Sequence, residues 1–312
     1  MTHSVLVSAE VETFLGNVEV PPDLEVRILA PAEEVPAGDH AGILLVLTRP
    51  FGPEQMDRLP RLRVIANMAV GYDNVDIVAA RERGIRVTNT PDVLTGATAE
   101  LTWALILAAA RRVGEGERMV RAGEWRGWEP TQLMGMGLDG KTLAIVGAGR
   151  IGREVGRRAG VFGMRVAYWG RTRRGAWESE VGAEWVPDLA ELAGGADVLS
   201  IHVASAVGTS GLIDGAVLDR LREGALVVNT ARGDVIDEPA LIERLEAGRI
   251  RAGLDVYAHE PEVPERLWGL ENVVLLPHLG SATRQTRQAM FDLAWDNLVR
   301  CVHGQQPITP VA

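Results

Sequence analysis

Short apolar segments alternate with helical patterns along most of this 312-residue chain. After residue 140 the apolar segments are continuous, which is typical of strands that are buried on both faces of a parallel sheet. We predict strands there at 142–147, 164–169, 197–203, 225–230, 251–256 and 272–278. The segments between them, such as 152–163 and 237–248, predict helices, with Asp237 as the N-cap of the second. This alternation predicts an α/β fold with helices on both faces of the sheet.

The first hundred residues repeat the alternation on a smaller scale. Strands are predicted at 4–9, 24–29, 42–47, 63–68 and 85–90. Helices are predicted over Asn74–Arg83 and over about Gly96–Arg112, and a final one over Arg284–His303. We therefore expect two α/β domains, with the long helix leading from the first into the second.

Net charge, apolar run length and cysteine content limit the classes of function that this chain can have. A net charge of −10 disfavours a nucleic-acid or anionic membrane partner. The longest apolar run, Leu101–Ala110, is shorter than the roughly 20 residues that span a bilayer, and residues 1–10 lack a basic signal-peptide region, so we expect a cytoplasmic protein. Cys301 is the single cysteine, which excludes an intrachain disulfide, and no histidine spacing suggests a metal site.

The segment GAGRIG (147–152) lies between a predicted strand and a predicted helix. In this context Gly147 suits the tight turn, Gly149 lets the backbone approach a pyrophosphate, and Gly152 permits close packing of helix and strand. The helix N-terminus then offers N–H groups to phosphate. The pattern predicts nucleotide binding.

Three later segments complete a recognisable set: NTARGDVIDEPAL (229–241), AGLDVYAHEP (252–261) and LLPHLGSAT (275–283). With GAGRIG, with residues 67–91 and with the closing segment, they resemble the D-isomer-specific 2-hydroxyacid dehydrogenases over essentially the whole chain. Within that family the chain looks most similar to the glyoxylate/hydroxypyruvate reductases. It departs from the family at HVASA (202–206), where a proline and a threonine are missing.

The resemblance implies a Rossmann-type doubly wound parallel-sheet domain inserted into a smaller flavodoxin-like α/β domain. The substrate-binding domain would comprise 1–97 and 285–312, and the dinucleotide-binding domain 98–284. A homodimer, built on helix 96–112 and the segment after it, is implied as well.

The resemblance also implies the site. Arg232, Glu260 and His278 would be the catalytic trio, and the backbone amides of Val70 and Gly71 would hold the substrate carboxylate together with Arg232. Asp255 would face the nicotinamide. The full set of residues expected to contact the cofactor is Gly147, Gly149, Arg150, Ile151, Gly152, Gly170, Arg171, Thr172, Thr230, Ala231, Asp255 and Gly280.

These residue types suit the reduction of a small 2-oxo acid to the 2-hydroxy acid. The reaction needs a proton for the carbonyl oxygen, and an imidazole such as His278 titrates near neutrality. A carboxylate such as Glu260, hydrogen-bonded to the ring, would favour the charged imidazolium and fix its orientation. The planar fork of Arg232 can clamp a carboxylate and polarise the adjacent carbonyl.

The end of the second strand of the cofactor domain indicates which cofactor binds. A carboxylate there would bind the ribose of NAD and repel the 2′-phosphate of NADP. Here Trp169 and Gly170 carry no charge, and Arg171, Thr172 and Arg173 follow. Charge-assisted hydrogen bonds from Arg171 and Arg173 would suit the phosphate, so the sequence predicts NADPH, with NADH as a weaker alternative.

Two other functions stay open from the sequence. One is an NAD-dependent 3-phosphoglycerate dehydrogenase, although Leu47 stands where such enzymes tend to have an arginine for the phosphate. The other is a non-catalytic nucleotide-sensing protein like the family's corepressor branch, against which the intact catalytic trio weighs.

Overall fold

A computed structural model describes residues 2–31, 33–206 and 208–311. Its strands are β1 (His3–Ser8), β2 (Leu24–Leu29), β3 (His40–Leu45), β4 (Val64–Asn67), β5 (Arg86–Thr88), β6 (Thr142–Val146), β7 (Arg165–Trp169), β8 (Glu184–Trp185), β9 (Val198–Ile201), β10 (Leu226–Asn229), β11 (Arg251–Leu254) and β12 (Val273–Leu275).

The α-helices alternate with these strands. They are α1 (Glu12–Leu15), α2 (Pro53–Asp57), α3 (Ile77–Glu82), α4 (Thr95–Ala110), α5 (Val113–Arg121), α6 (Arg150–Ala159), α7 (Gly175–Val181), α8 (Leu189–Gly195), α9 (Gly215–Arg220), α10 (Glu238–Glu246), α11 (Glu265–Trp268) and α12 (Arg284–Val302). In the part of the chain that the structure describes, none of them is both long and apolar enough to cross a bilayer.

The chain divides into two compact units. The first consists of the residues up to Leu94 and those from Ser281 onward, and the second is Thr95–Gly280. One unit is therefore inserted into the sequence of the other, as the resemblance implied.

The first unit contains a parallel sheet with strand order β2-β1-β3-β4-β5. This 2-1-3-4-5 order is that of flavodoxin-like folds. Apolar side chains such as Leu6, Ile43 and Ile65 are fully buried in it. Helix α12 packs closely on β3, because a Cβ atom at Gly42 would lie only 2.6 Å from the side chain of Leu298. The predicted flavodoxin-like domain is confirmed.

The second unit contains a parallel sheet with strand order β12-β11-β10-β9-β6-β7-β8. Alternate residues of β6 belong to two different apolar clusters, Ala144 and Val146 to one and Leu143 and Ile145 to the other. The sheet is thus covered on both faces, which confirms the predicted doubly wound Rossmann fold. The strand order reverses between β6 and β9, and ligands of such sheets bind outside the carboxyl ends of the strands at that point.

For two of the predicted helices, the structure shows why their bounds differ from those expected. Helix α3 begins at Ile77 rather than Asn74, because the carboxylate of Asp76 accepts the N–H of Ala79 and caps the helix. Helix α4 ends at Ala110, since Arg112 adopts a left-handed backbone with φ 55° and a second helix, α5, follows. The sequence pattern alone did not reveal that turn.

Candidate active site

Three neighbouring strand ends carry the predicted catalytic trio. Arg232 follows β10, Glu260 follows β11 and His278 follows β12. The three strands are parallel and adjacent, with Val227 level with Ala252 and Ala252 level with Val273. Their carboxyl ends therefore meet at one edge of the sheet.

The loops at this edge interlock through Gly233 and Tyr257. A Cβ atom on Gly233 would lie 1.9 Å from the carbonyl carbon of Tyr257, so only glycine lets the loop after β10 reach the loop after β11. The Tyr257 hydroxyl donates to the carbonyl of Leu276, 3.0 Å away, and so ties the second loop to β12. Burial raises the pKa of Tyr257 to about 12, so this hydroxyl remains a donor.

His278 and Glu260 form a direct pair. The Nδ1 atom of His278 donates to Oε2 of Glu260 at 2.7 Å, while Oε1 of Glu260 accepts the N–H of Tyr257 at 3.1 Å. Burial alone would raise the pKa of Glu260, but the hydrogen bond and charge of His278 and the charge of Arg232 outweigh it and lower that pKa. The carboxylate therefore stays ionised near neutrality and orients the ring, with Nε2 as its other nitrogen.

The backbone of His278 is held in an unusual conformation. Its φ of 54° lies in the left-handed region that non-glycine residues seldom adopt. The N–H of His278 donates to the Asp255 carbonyl at 2.9 Å, and the carboxylate of Asp255 accepts the N–H groups of Leu279 and Gly280 at 2.6 and 2.8 Å. A strained backbone that is held by surrounding hydrogen bonds is typical of residues at functional sites.

Asp255 is completely buried, and burial raises its pKa while the Leu279 and Gly280 N–H groups oppose that rise. Both of its oxygens are used to hold the His278 loop. The structure therefore gives Asp255 a positioning role, while its contact with a nicotinamide stays a prediction.

The Arg232 turn is shaped by a side chain that the sequence analysis did not single out. Asn229 donates from Nδ2 to the Arg232 carbonyl at 2.8 Å and accepts the N–H of Ala231 at 3.0 Å. The guanidinium of Arg232 donates to the Ala231 carbonyl at 2.8 Å. Thr230, next to Ala231, is buried, and its hydroxyl lies 2.9 Å from that of Thr102 on α4.

The glycine-rich turn has the shape that a dinucleotide requires. Gly147 has φ 99°, and a Cβ atom there would lie 2.6 Å from the Val203 side chain. A Cβ atom on Gly152 would lie 2.3 Å from the Gly147 carbonyl oxygen, whereas one on Gly149 would meet nothing within 4 Å. Arg150 and Ile151 are the first two residues of α6 and directly follow Gly149. The first turn of α6 thus presents its N–H groups to an open cradle, which fits a pyrophosphate.

The loop after β7 joins this cradle. The Gly147 N–H donates to the Trp169 carbonyl at 2.9 Å, and Gly170 follows at once. Arg171 and Thr172 are exposed. Arg173 differs from what the sequence suggested, because its guanidinium is bound by the carboxylate of Glu178, with the shortest nitrogen–oxygen distance at 2.9 Å. Sequence spacing gave no sign of this ion pair.

Val70 and Gly71 lie in the first unit, on the loop after β4. Their carbonyl oxygens accept side-chain N–H groups, Val70 from Asn89 and Gly71 from Asn67, both at 2.8 Å. Within the described residues neither backbone N–H of this pair donates a hydrogen bond. The loop is therefore fixed by its carbonyls and leaves two donors for an anion.

His202, in the departure HVASA, is a structural residue. Its Nε2 atom lies 2.8 Å from the Ser200 hydroxyl, and its backbone N–H donates to the carbonyl oxygen of Val146. Burial lowers the pKa of His202 to about 3, so the ring is neutral. Among the described residues, no three His, Cys, Asp or Glu side chains are grouped so as to hold a metal ion.

Comparison with known proteins gives consistent matches. Residues 103–280 match the family described as "D-isomer specific 2-hydroxyacid dehydrogenase, NAD binding domain". A glyoxylate reductase of Thermococcus litoralis is 46% identical over 85% of this chain and 81% of its own. One of Pyrococcus furiosus is 43% identical over 97% of this chain and 89% of its own.

A solved structure agrees with these matches. The NADPH-dependent glyoxylate/hydroxypyruvate reductase of Sinorhizobium meliloti, in complex with NADP and malonate, superposes with a TM-score of 0.90. It is 36% identical, and the match covers 100% of this chain and 97% of that one.

Proposed function

Because the chain belongs to the D-isomer-specific 2-hydroxyacid dehydrogenases and is an NAD(P)-dependent oxidoreductase, we propose that it reduces a small 2-oxo acid of the glyoxylate or hydroxypyruvate type with NADPH. The observation that carries the proposal is the 2.7 Å bond between His278 and Glu260 at the edge where Arg232 also lies. Two similar proteins are glyoxylate reductases, which favours that substrate class.

His278 is the proton donor in this proposal. When bound, the nicotinamide supplies a hydride to the carbonyl carbon. The Nε2 atom of His278 gives a proton to the carbonyl oxygen, while ionised Glu260 stabilises the imidazolium before transfer. Asp255 keeps the His278 loop in place by its two backbone contacts. In this proposal Nδ1 of His278 binds Glu260 and Nε2 donates the proton.

Arg232 and the loop of Val70 and Gly71 are the proposed carboxylate binders. The guanidinium of Arg232 binds the substrate carboxylate and polarises the carbonyl beside it. The N–H groups of Val70 and Gly71 supply further donors, which agrees with their lack of acceptors within the described residues. The charge of Arg232 also helps to keep Glu260 ionised.

The cradle and the loop after β7 support NADPH as the cofactor. The open space at Gly149 admits a pyrophosphate against the N-terminus of α6. Thr230 and Ala231 directly follow β10, and Gly280 lies on the loop after β12. The nicotinamide half of the cofactor would extend toward these strand ends. Arg171 is exposed and suits the 2′-phosphate, and the similar reductase of S. meliloti is NADPH-dependent.

The phosphoglycerate alternative gains no support from the region around Leu47. The neighbouring Arg49 is buried and donates to three carbonyls, those of Ala30, Pro31 and Glu33. It is therefore not available to a substrate phosphate.

A panel of glyoxylate, hydroxypyruvate, pyruvate and 3-phosphohydroxypyruvate, each with NADPH and with NADH, tests the proposed substrate and cofactor. We expect the highest kcat/KM for one of the first two, and the highest value for the phosphorylated acid would refute it.

We also propose a cytoplasmic homodimer. The segment from α5 to residue 134 exposes large apolar side chains, with Trp128 82% exposed and Val120, Met134, Trp125 and Val113 each more than half exposed. An apolar surface of this kind is typical of an interface. Light scattering after size exclusion should give twice the 33.7 kDa chain mass, and Trp128→Glu should shift the protein toward the monomer. A monomeric wild type at micromolar concentration would refute the dimer.

A further inference from the structure

A carboxylate reaches the end of β7 although the strand itself supplies none. Helix α7 brings Glu178 back to the strand, where its Oε1 atom accepts the hydroxyl of Tyr168 at 2.5 Å. Tyr168 is the penultimate residue of β7 and is fully buried. The side chain of Glu178 is only 12% exposed. A carboxylate that is absent from the end of the strand in the sequence is therefore supplied there by helix α7.

This carboxylate is connected to the loop that adjoins the glycine-rich turn. The Tyr168 hydroxyl that it binds also accepts the backbone N–H of Arg174 at 2.6 Å, so this hydroxyl links the carboxylate to the loop 170–174. That loop adjoins the glycine-rich turn, because a Cβ atom on Gly170 would lie 3.9 Å from the Ala148 nitrogen. A carboxylate at the end of this strand favours the ribose of NAD and opposes a 2′-phosphate.

Arg173 forms an ion pair with Glu178. Its Nε atom lies 3.1 Å from both carboxylate oxygens, and its Nη2 atom lies 2.9 Å from Oε2. The guanidinium carbon also lies 5.8 Å from the ring centroid of Trp185, a cation–π arrangement that holds it in place. Hydrogen bonds from Arg173 and Tyr168 lower the pKa of Glu178, so the pair is fully charged at neutral pH.

Arg171 differs from Arg173 in its surroundings. Arg171 is exposed, and within the described residues its side chain forms no ion pair or hydrogen bond. Its donors are therefore all available, whereas Arg173 has already used the edge of its fork that carries Nε and Nη2.

We propose, resting on the proposed use of NADPH with Arg171 at the 2′-phosphate, that Arg173 sets the cofactor preference by neutralising Glu178. Without Arg173, Glu178 presents a full negative charge to a phosphate that carries about −1.5 to −2. For charges a few ångströms apart in a partly solvated environment, repulsion of this kind amounts to roughly a tenfold change in affinity. The charge of Glu178 would thus favour NADH, and the ion pair with Arg173 removes that effect.

A double-mutant cycle on cofactor binding tests the proposal. The dissociation constants of NADPH and NADH are measured by tryptophan fluorescence for wild type, Arg173→Ala, Glu178→Gln and the double variant. The readout is the Kd of NADH divided by that of NADPH. We expect Arg173→Ala to lower this ratio about tenfold, Glu178→Gln to raise it, and the double variant to lie within about threefold of wild type. The glutamine side chain in Glu178→Gln keeps an oxygen that can accept the Tyr168 hydroxyl, so the support of the loop is retained.

Other outcomes overturn the proposal. If the ratio in the double variant is as low as in Arg173→Ala, Arg173 itself binds the phosphate. If Glu178→Gln alone lowers the ratio, Glu178 only positions Arg173. Arg157→Ala is the matched control, because it removes the ion pair with Glu180 on the same helix α7, at 2.6 Å, and should leave the ratio unchanged. Melting temperatures show whether each variant is folded. A wild-type ratio below one would refute the proposed cofactor, whereas the differences among the variants test the neutralisation separately.

Discussion

The Nδ1 atom of His278 lies 2.7 Å from Oε2 of Glu260, although the two residues stand on loops after different strands. The carboxylate thereby occupies Nδ1 and leaves Nε2, the atom that would protonate the substrate oxygen in the proposed reaction. Because Asp255 fixes the backbone of the same loop through Leu279 and Gly280, the proposed proton donor is held in place before substrate binds. Such preorganisation is what efficient proton transfer requires.

Replacing His278 should remove the proton donor without unfolding the chain. His278→Asn is the suitable change, because asparagine tolerates the left-handed backbone at φ 54°. We expect kcat to fall by about 10²–10⁴ with an unchanged melting temperature. Steady-state kinetics with glyoxylate measures this, and wild-type turnover in the folded variant would remove His278 from the mechanism.

Arg232 should affect both substrate binding and turnover. Arg232→Ala is expected to raise KM and lower kcat together, since in the proposed mechanism the guanidinium binds the ground-state carboxylate and also polarises the carbonyl. Arg232→Lys keeps the charge but loses the planar fork, so its kcat/KM should lie between those of wild type and the alanine variant. A change in melting temperature alone, with both kinetic constants intact, would show that Arg232 is only structural.

Glu260 should make a pH-dependent contribution to stability. Its folded-state pKa is lowered, so the ionised carboxylate stabilises the native state above its unfolded pKa of about 4.3, and this contribution is lost as pH falls through the folded value. Glu260→Gln keeps an acceptor for the Tyr257 N–H but carries no charge. The difference in free energy of unfolding between wild type and variant should therefore be largest near neutrality and shrink below about pH 4.3. Urea titrations from pH 7 to 3.5 check this, and a constant difference would contradict it.

Two glycines of the cradle should respond differently to alanine. Gly149→Ala meets no protein atom within 4 Å, so the fold should be unaffected while the affinity for NADPH falls, because the new methyl group occupies the cradle. Gly152→Ala places its methyl carbon 2.3 Å from the Gly147 carbonyl oxygen. It should destabilise the protein by about 1–3 kcal/mol or more, the usual cost of overpacking. Thermal melts and NADPH titrations of both variants check the contrast, and unchanged NADPH affinity in Gly149→Ala would contradict the proposed cradle.

Local patterns predicted the fold, and the family resemblance pointed to Arg232, Glu260 and His278, which follow three adjacent strands in the structure. Continuous apolar strands, GAGRIG and the motifs around Arg232, Glu260 and His278 are readable because each depends on residues close in sequence. The relation of Arg173 to Glu178 was not readable, because helix α7 returns the carboxylate to the strand only in three dimensions. The supporting roles of Asn229 and Tyr257 were missed for a similar reason, since an amide or a phenol in a loop has no spacing that reveals its partner.

Wild-type kinetics with glyoxylate test the central claim most directly. The purified protein should oxidise NADPH with glyoxylate, with a kcat/KM at least about tenfold above that with NADH, because one charge-assisted hydrogen bond to the 2′-phosphate is worth roughly 1.5–3 kcal/mol. Arg171→Ala should erase most of the difference. Equal or better efficiency with NADH, or no turnover of glyoxylate, would contradict the account.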